Sequence, residues 1–253
     1  MRSVARTAEI APELSTAAIL PILERDSFLE PSLGCPSFRI VRIDARTGRI
    51  ASDDAAFVWG RVPINAIENL RWLCARGYYL VETTITLERE PFEDADSDPR
   101  IRSARPDDGP ALVALARGGF RHSRFHRDPK IDDVAANDLK ARWVGNAVAG
   151  RRGDQLLVAE IDDALAGFLI VVERPDGVMV IDLVAVEGAF RGRGLATAMS
   201  RAASSRCEGV SRLRVATQAT NRPALMAYQR MGFTVVGASY TVHQHWPRAE
   251  VTS

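Results

Sequence analysis

Apolar residues recur along this chain in two rhythms, and the sharpest switch between them falls in its last third. Val178, Met179, Val180, Ile181, Leu183, Val184 and Val186 form a nearly unbroken apolar run, the pattern of a strand buried on both faces. The Gly-rich stretch Arg191-Gly-Arg-Gly-Leu-Ala196 follows and leads into a helical pattern. Upstream, residues 38–43 alternate as a strand should, residues 45–48 read as a turn, and residues 64–75 repeat with helical spacing up to Gly77, a natural C-terminal cap. Residues 79–87, rich in β-branched side chains, predict a strand. Leu14, Ala17, Ile19, Leu20 and Leu23 recur near helical spacing, so residues 12–25 predict a short helix that Pro21 interrupts.

The acidic, Pro-containing run EPFEDADSDPR has few apolar groups and reads as a linker. Beyond it the chain predicts an opening strand from Ile101, a first helix from Ala111, and a second helix over residues 132–146 with Ala135, Leu139 and Trp143 on one face. Strands follow over 155–161 and 165–172, turned through Asp162-Asp163 and then Pro175-Asp-Gly177 into the central apolar run. After the Gly-rich turn and its helix come a strand over 211–217, a helix from near Pro223, and a last pair of strands over 234–245.

Composition narrows the function classes. Among 253 residues, 33 basic side chains offset 32 acidic ones to a formal charge of +1, so no global charge points to nucleic acid or an acidic membrane. No apolar run approaches the roughly 20 residues of a membrane span, and the first residues lack the apolar core of a secretion signal. The expectation is a cytoplasmic protein. Cys35, Cys74 and Cys207 stand far apart with no Cys/His spacing, which argues against a disulfide framework or a metal site.

The turn at residues 191–196 has the makings of an anion site. Gly192 and Gly194 allow a tight turn, the helix that follows presents unpaired N–H groups, and Arg191 and Arg193 add positive charge. This stretch resembles the pyrophosphate loop Arg/Gln-x-x-Gly-x-Gly/Ala of the GCN5-related N-acetyltransferases, with Arg191, Gly194 and Ala196 on the matching positions. Downstream, Asn221, Ala224, Tyr228, Gly232 and Phe233 resemble that family's Asn-x-x-Ala-x-x-x-Tyr-x-x-x-Gly-Phe signature. The resemblance implies an α/β fold with a mixed central sheet and acetyl-CoA as cosubstrate. It implies that the backbone of Val184, Ala185 and Val186 holds the pantetheine arm, and that Arg191, Gly192, Arg193, Gly194, Leu195 and Ala196 hold the pyrophosphate. Asn221 and Ala224 complete the expected cofactor set, and Tyr228 takes the role of general acid.

Leu70, Leu73, Gly77, Tyr78 and Val81 match Leu225, Tyr228, Gly232, Phe233 and Val236 at identical spacing. Residues 1–92 therefore read as a smaller, partial copy of the acetyltransferase unit without its phosphate loop, residues 93–100 as linker and residues 101–253 as the transferase domain. The loop over 118–131 gathers three Arg, two His and two Phe. The segment over 120–143, together with residues 213–218 and 239–246, is similar to the dTDP-fucosamine acetyltransferases, which act on the 4-amino group of a nucleotide-linked dideoxy sugar. By that likeness Arg121, Arg124, Phe125, His126, Tyr240 and His243 are the expected acceptor-binding residues, and Trp246 offers a further ring for stacking. His126, Asp128 and His243 stand as candidates for general base. Expected partners are a small-molecule acceptor and a second copy of the chain, with no nucleic acid and no membrane. Two other readings stay open: an acetyltransferase of a peptide N-terminus, antibiotic or other small amine, and a catalytically silent CoA-binding protein.

Overall fold

The computed structural model describes residues 20–44, 56–93 and 98–246. Among the described residues, ten strands form a single sheet in the order β1-β2-β3-β10-β4-β9-β8-β7-β6-β5. In chain order these are β1 (Leu20–Arg25), β2 (Ser37–Asp44), β3 (Ala56–Pro63), β4 (Tyr79–Arg89), β5 (Ile101–Ser103), β6 (Gln155–Ile161), β7 (Ala164–Glu173), β8 (Val178–Val186), β9 (Arg212–Gln218) and β10 (Thr234–Trp246). The helices are α1 (Glu30–Leu33), α2 (Ile67–Cys74), α3 (Gly109–Gly119), α4 (Arg124–Arg127), α5 (Asp133–Val148), α6 (Leu195–Arg206) and α7 (Arg222–Arg230).

The alternation of side chains sorts the helices onto two faces. On one face Leu87, Met179, Ile181, Leu213 and Val215 pack with Met199 and Ala203 of α6 and Tyr228 of α7. Val58, Val62 and Val242 meet Leu73 of α2 on that same face. On the opposite face Val158, Phe168 and Ile170 pack with Leu112 of α3 and Val144 of α5, and Phe57 packs with Phe125 and Leu139.

Two sequence expectations are corrected here. Residues 20–25 are not helical: they form edge strand β1, antiparallel to β2, and a proline is tolerated at such an edge because no inner neighbour needs its N–H. Residues 12–19, and the turn expected at 45–48, lie outside the described residues. The expected final pair of strands is one thirteen-residue strand, β10.

At the centre, β4 lies between β10 and β9, antiparallel to both. The pairing of β4 with β10 carries two bulges, whose extra residues are Val81 and Val236. Both fall at the sequence offset that separates Gly77 from Gly232. The registers obey the same offset: Ser239 faces Pro63 across β10/β3, Thr84 faces Gln218 across β4/β9, and Ser239 faces Thr84 in the middle. The helix ends repeat too. Tyr78 N–H donates to Leu73 C=O at 3.2 Å and Phe233 N–H to Tyr228 C=O at 3.0 Å, around Gly77 at φ +88° and Gly232 at φ +84°. The units β3-α2-β4 and β9-α7-β10 are thus related by a local two-fold axis, with their last strands exchanged.

Candidate active site

The site begins where two parallel strands part. β8 pairs with β9 only from Val178 to Ile181, opposite Arg212 to Val215. Asp182 is then an extra residue against β7, a bulge that bends β8 away. Beyond it, Val184, Ala185 and Val186 keep their ladder to β7, facing Leu169, Phe168 and Gly167. Their other edge faces the gap that opens between β8 and β9, where an extended ligand can add as a strand does.

The Gly-rich turn closes the end of this gap. Gly192 and Gly194 sit at φ +78° and +76°, a conformation that glycine adopts without penalty. Gly194 caps α6 without a side-chain acceptor, so the first-turn amides of Leu195 and Ala196 are open to an anion. Arg191 ties the turn to the strand, its Nε donating to the Val186 carbonyl at 3.1 Å. Arg193 lies over the Phe190 ring, 5.4 Å from its centre.

α7 starts across the gap. The Asn221 side chain accepts from Ala224 N–H at 3.4 Å and donates to Thr217 Oγ1 at 3.2 Å, joining the helix start to the end of β9. Tyr228 is 6% exposed and meets the Phe233 ring edge-on at 5.6 Å. Its hydroxyl has no hydrogen-bond partner among the described residues. Burial raises its pKa above the ordinary phenol value, so the proton stays on the oxygen at neutral pH.

The opposite face of the sheet carries a second set of residues, over β3, β10 and β4. Arg124 stacks between Trp59, 3.6 Å from its ring centre, and Phe125 at 4.3 Å. Its Nη1 donates to His243 Nε2 at 3.3 Å. The other His243 nitrogen, Nδ1, donates to Asp128 at 2.7 Å, and the same carboxylate accepts from His245, Tyr79 and the Lys130 N–H. Burial and the nearby Arg124 cation lower the His243 pKa to about 4, against the pull of Asp128, so the ring is neutral. Burial would raise Asp128, yet its donors hold it well below the usual carboxylate range.

Asp128, His243 and His245 bring three ligand-type atoms within 4.8 Å of one another. Both imidazoles donate to one carboxylate oxygen, and that accounts for the cluster without an ion. His126 is equally committed, between Ser123 Oγ at 2.6 Å and Asn137 Oδ1 at 3.0 Å. Neither histidine has a free nitrogen to act as base, contrary to expectation. Arg121 is exposed and lines a cavity of about 210 Å³ with Phe120, His126, Asp133 and Asn137.

Two expected acceptor residues are misplaced. Phe125 is 1% exposed and belongs to the core with Phe57 and Leu139. Tyr240 packs beside Val62 and Leu73 on the α2 face, because it alternates with His243 along β10.

The chain was compared with known proteins. Residues 120–233 match the family model described as "Acetyltransferase (GNAT) family". The chain is 32% identical over 210 residues to the dTDP-fucosamine acetyltransferase of Escherichia coli O6:H1, covering 81% of this chain and 90% of that protein. The chain belongs to the GNAT acetyltransferase family. This GNAT acetyltransferase is also 29% identical over 203 residues to the spore coat polysaccharide biosynthesis protein SpsD of Bacillus subtilis, covering 78% of this chain and 69% of SpsD. A GCN5-related N-acetyltransferase of Sphaerobacter thermophilus shares the fold at a TM-score of 0.52 and 18% identity, over 76% of this chain and 61% of that one. The family's donor is acetyl-CoA. No helix among the described residues is long and apolar enough to cross a membrane.

Two residues of this GNAT acetyltransferase escaped the sequence reading. Glu82, on β4, is 7% exposed, and its Oε2 has no hydrogen-bond partner. Burial raises its pKa, opposed by a hydrogen bond from Gln218 at the tip of β9 and by Arg124 and Arg61. Lys140, on α5, is 7% exposed and has no ion pair among the described residues. In sequence both look like polar positions on solvent-facing elements.

Proposed function

We propose that this acetyltransferase moves the acetyl group of acetyl-CoA onto the amino group of a nucleotide-linked amino-deoxy sugar, with Glu82 as general base and Tyr228 as general acid. One observation carries the mechanism: a protonated phenol and a buried carboxylate with one unpartnered oxygen stand on the two opposite faces of the sheet. The pantetheine arm adds along Val184, Ala185 and Val186, and a backbone amide there polarises the thioester oxygen. The amine nitrogen attacks the carbonyl carbon from the β4 side and gives its proton to Glu82. The tetrahedral intermediate then expels the CoA thiolate, which takes the Tyr228 proton, and exchange with water restores both groups.

The acceptor class draws support from the named activity of the Escherichia coli relative and the polysaccharide role in the name of the Bacillus one. Positive charge on the acceptor face also suits a phosphorylated substrate and disfavours a polyamine. In the same reading residues 1–92 are a partial copy of the transferase unit, and the linker 93–100 divides it from residues 101–253. The repeated caps, bulges and registers support that division of the sequence, although β4 belongs to the shared sheet. Thiol release from acetyl-CoA tests the acceptor, using a dTDP-4-amino-4,6-dideoxyhexose, a polyamine, an aminoglycoside and a short peptide. Turnover confined to the nucleotide sugar is the expected result; turnover with another amine alone would overturn the acceptor class.

A further inference from the structure

Lys140 is a buried charged group that the transfer chemistry leaves unused. Its ammonium lies 4.5 Å from the centre of the Trp143 ring and 5.0 Å from that of Phe120. Aromatic faces alone do not replace the hydration such a group gives up, so an unpaired lysine here is held at a cost in stability. The acidic groups facing it are Asp182 and Glu82. Asp182 is committed to Arg152, at 2.7 and 2.9 Å, and to Trp143 Nε1 at 2.9 Å. Glu82 is the carboxylate that the acetyl transfer requires. The basic groups acting on Lys140 are Arg124 and Arg152.

Arg124 shares this condition. It forms no ion pair among the described residues, and its single hydrogen bond goes to the uncharged His243 ring. That contact, backed by Asp128, fixes the guanidinium from behind, while Trp59 and Phe125 hold its plane. Two cations with uncommitted donors therefore share one face with Glu82, a carboxylate that has one unpartnered oxygen, and Arg61 adds further positive charge near Arg124.

We propose that Arg124 and Lys140 form a seat for a phosphate-type anion of the acceptor, and that Lys140 is a specificity-determining residue. The proposal rests on the nucleotide-sugar reading and deepens it: the seat takes the phosphate next to the sugar, and anchoring it there turns the amino group toward Glu82. The planar guanidinium suits two phosphate oxygens at once, and the ammonium supplies a point charge.

The test is calorimetric titration of inorganic pyrophosphate into the full chain saturated with coenzyme A, which fills the anion site at the start of α6. The wild-type protein is expected to bind, and Lys140→Met to bind at least about tenfold more weakly. Lys140→Gln serves as a second variant if the first does not fold. Coenzyme A affinity, measured separately, is expected to stay within about twofold, since Lys140 lies on the other face. Failure of the wild type to bind, equal binding by both variants, or parallel loss of coenzyme A affinity would overturn the seat. Binding does not depend on turnover, so the two readings fail separately. Lys140-dependent pyrophosphate binding without acetylation of any nucleotide sugar keeps the seat and removes the substrate. Nucleotide-sugar turnover with unchanged KM in Lys140→Met keeps the substrate and removes the seat.

Discussion

Glu82 and Tyr228 stand on opposite faces of one sheet: Glu82 is separated by strand alternation from Ile85 and Leu87, which pack in the same cluster as Tyr228. The gap between β8 and β9 joins the two faces. In the proposed mechanism, an acid and a base on opposite faces approach the thioester from either side without competing for the same space.

Replacing Tyr228 with Phe separates catalysis from packing. The ring keeps its contact with Phe233, and the hydroxyl has no partner to lose. The expected outcome is a fall in kcat of about 10²- to 10⁴-fold, with acetyl-CoA binding unchanged and stability within about 1 kcal/mol of wild type. Thiol release and a thermal melt read both; unchanged turnover would make this tyrosine a core residue.

Glu82 predicts an acidic limb in the pH profile. A base must be ionised, so kcat/KM falls as pH drops through the raised Glu82 pKa. Glu82→Gln is expected to lose about 10²- to 10⁴-fold in kcat/KM and to flatten that limb. Because the folded pKa lies above the unfolded one, ionisation at neutral pH weighs against folding. The Gln variant should therefore melt higher at pH 7, but not below pH 4.5, the ordinary carboxyl value. An unaltered acidic limb would exclude Glu82 as base.

Lys140→Met should raise stability at pH 7. Burial, aided by the positive charge of Arg124, lowers the Lys140 pKa from 10.5 to about 8. Below the folded pKa the charged lysine costs stability, on the order of 3 kcal/mol. That cost fades as pH rises toward 10.5 and the unfolded chain also loses its proton. Chemical denaturation at pH 7 and at pH 10.5 checks the sign, and equal differences at both would show that packing alone is responsible.

Gly194→Ala tests the turn. The space around a methyl group is open, but φ +76° disfavours any side chain, at about 1 kcal/mol. The expected outcome is a slight loss of stability with a rise of about tenfold in KM for acetyl-CoA, as the first-turn amides shift from the pyrophosphate. A KM equal to wild type would show that these amides are not the anion site.

The Gly-rich turn and α7 were legible because local rules govern them. Glycines at positive φ, an Asn cap and an apolar strand each announce themselves within a few residues. β3 was not legible: Phe57 and Trp59 face α5 while Val58 and Val62 face α2, so burial on both sides erases the alternation. Gly60 interrupts the run further, at a point where an added Cβ would lie 2.9 Å from the Ile40 side chain. Glu82 and Lys140 were hidden for another reason. Glu82 lies opposite Thr241 and near Arg124, and Lys140 lies against Phe120 and Trp143, partners that no local pattern links to them. Tyr240 and His243 show the limit of motif likeness, since strand pleating sends them to opposite faces.

The exchanged strand also sets a timetable for the chain. β4 is synthesised long before β9 and β10, the two strands that cover its edges. At ~5–20 residues per second its N–H and C=O groups wait on the order of ten seconds for their partners. The centre of the sheet therefore closes only after the final strand has left the ribosome. Until then Leu87, fully buried in the finished molecule, is exposed to any other strand edge nearby.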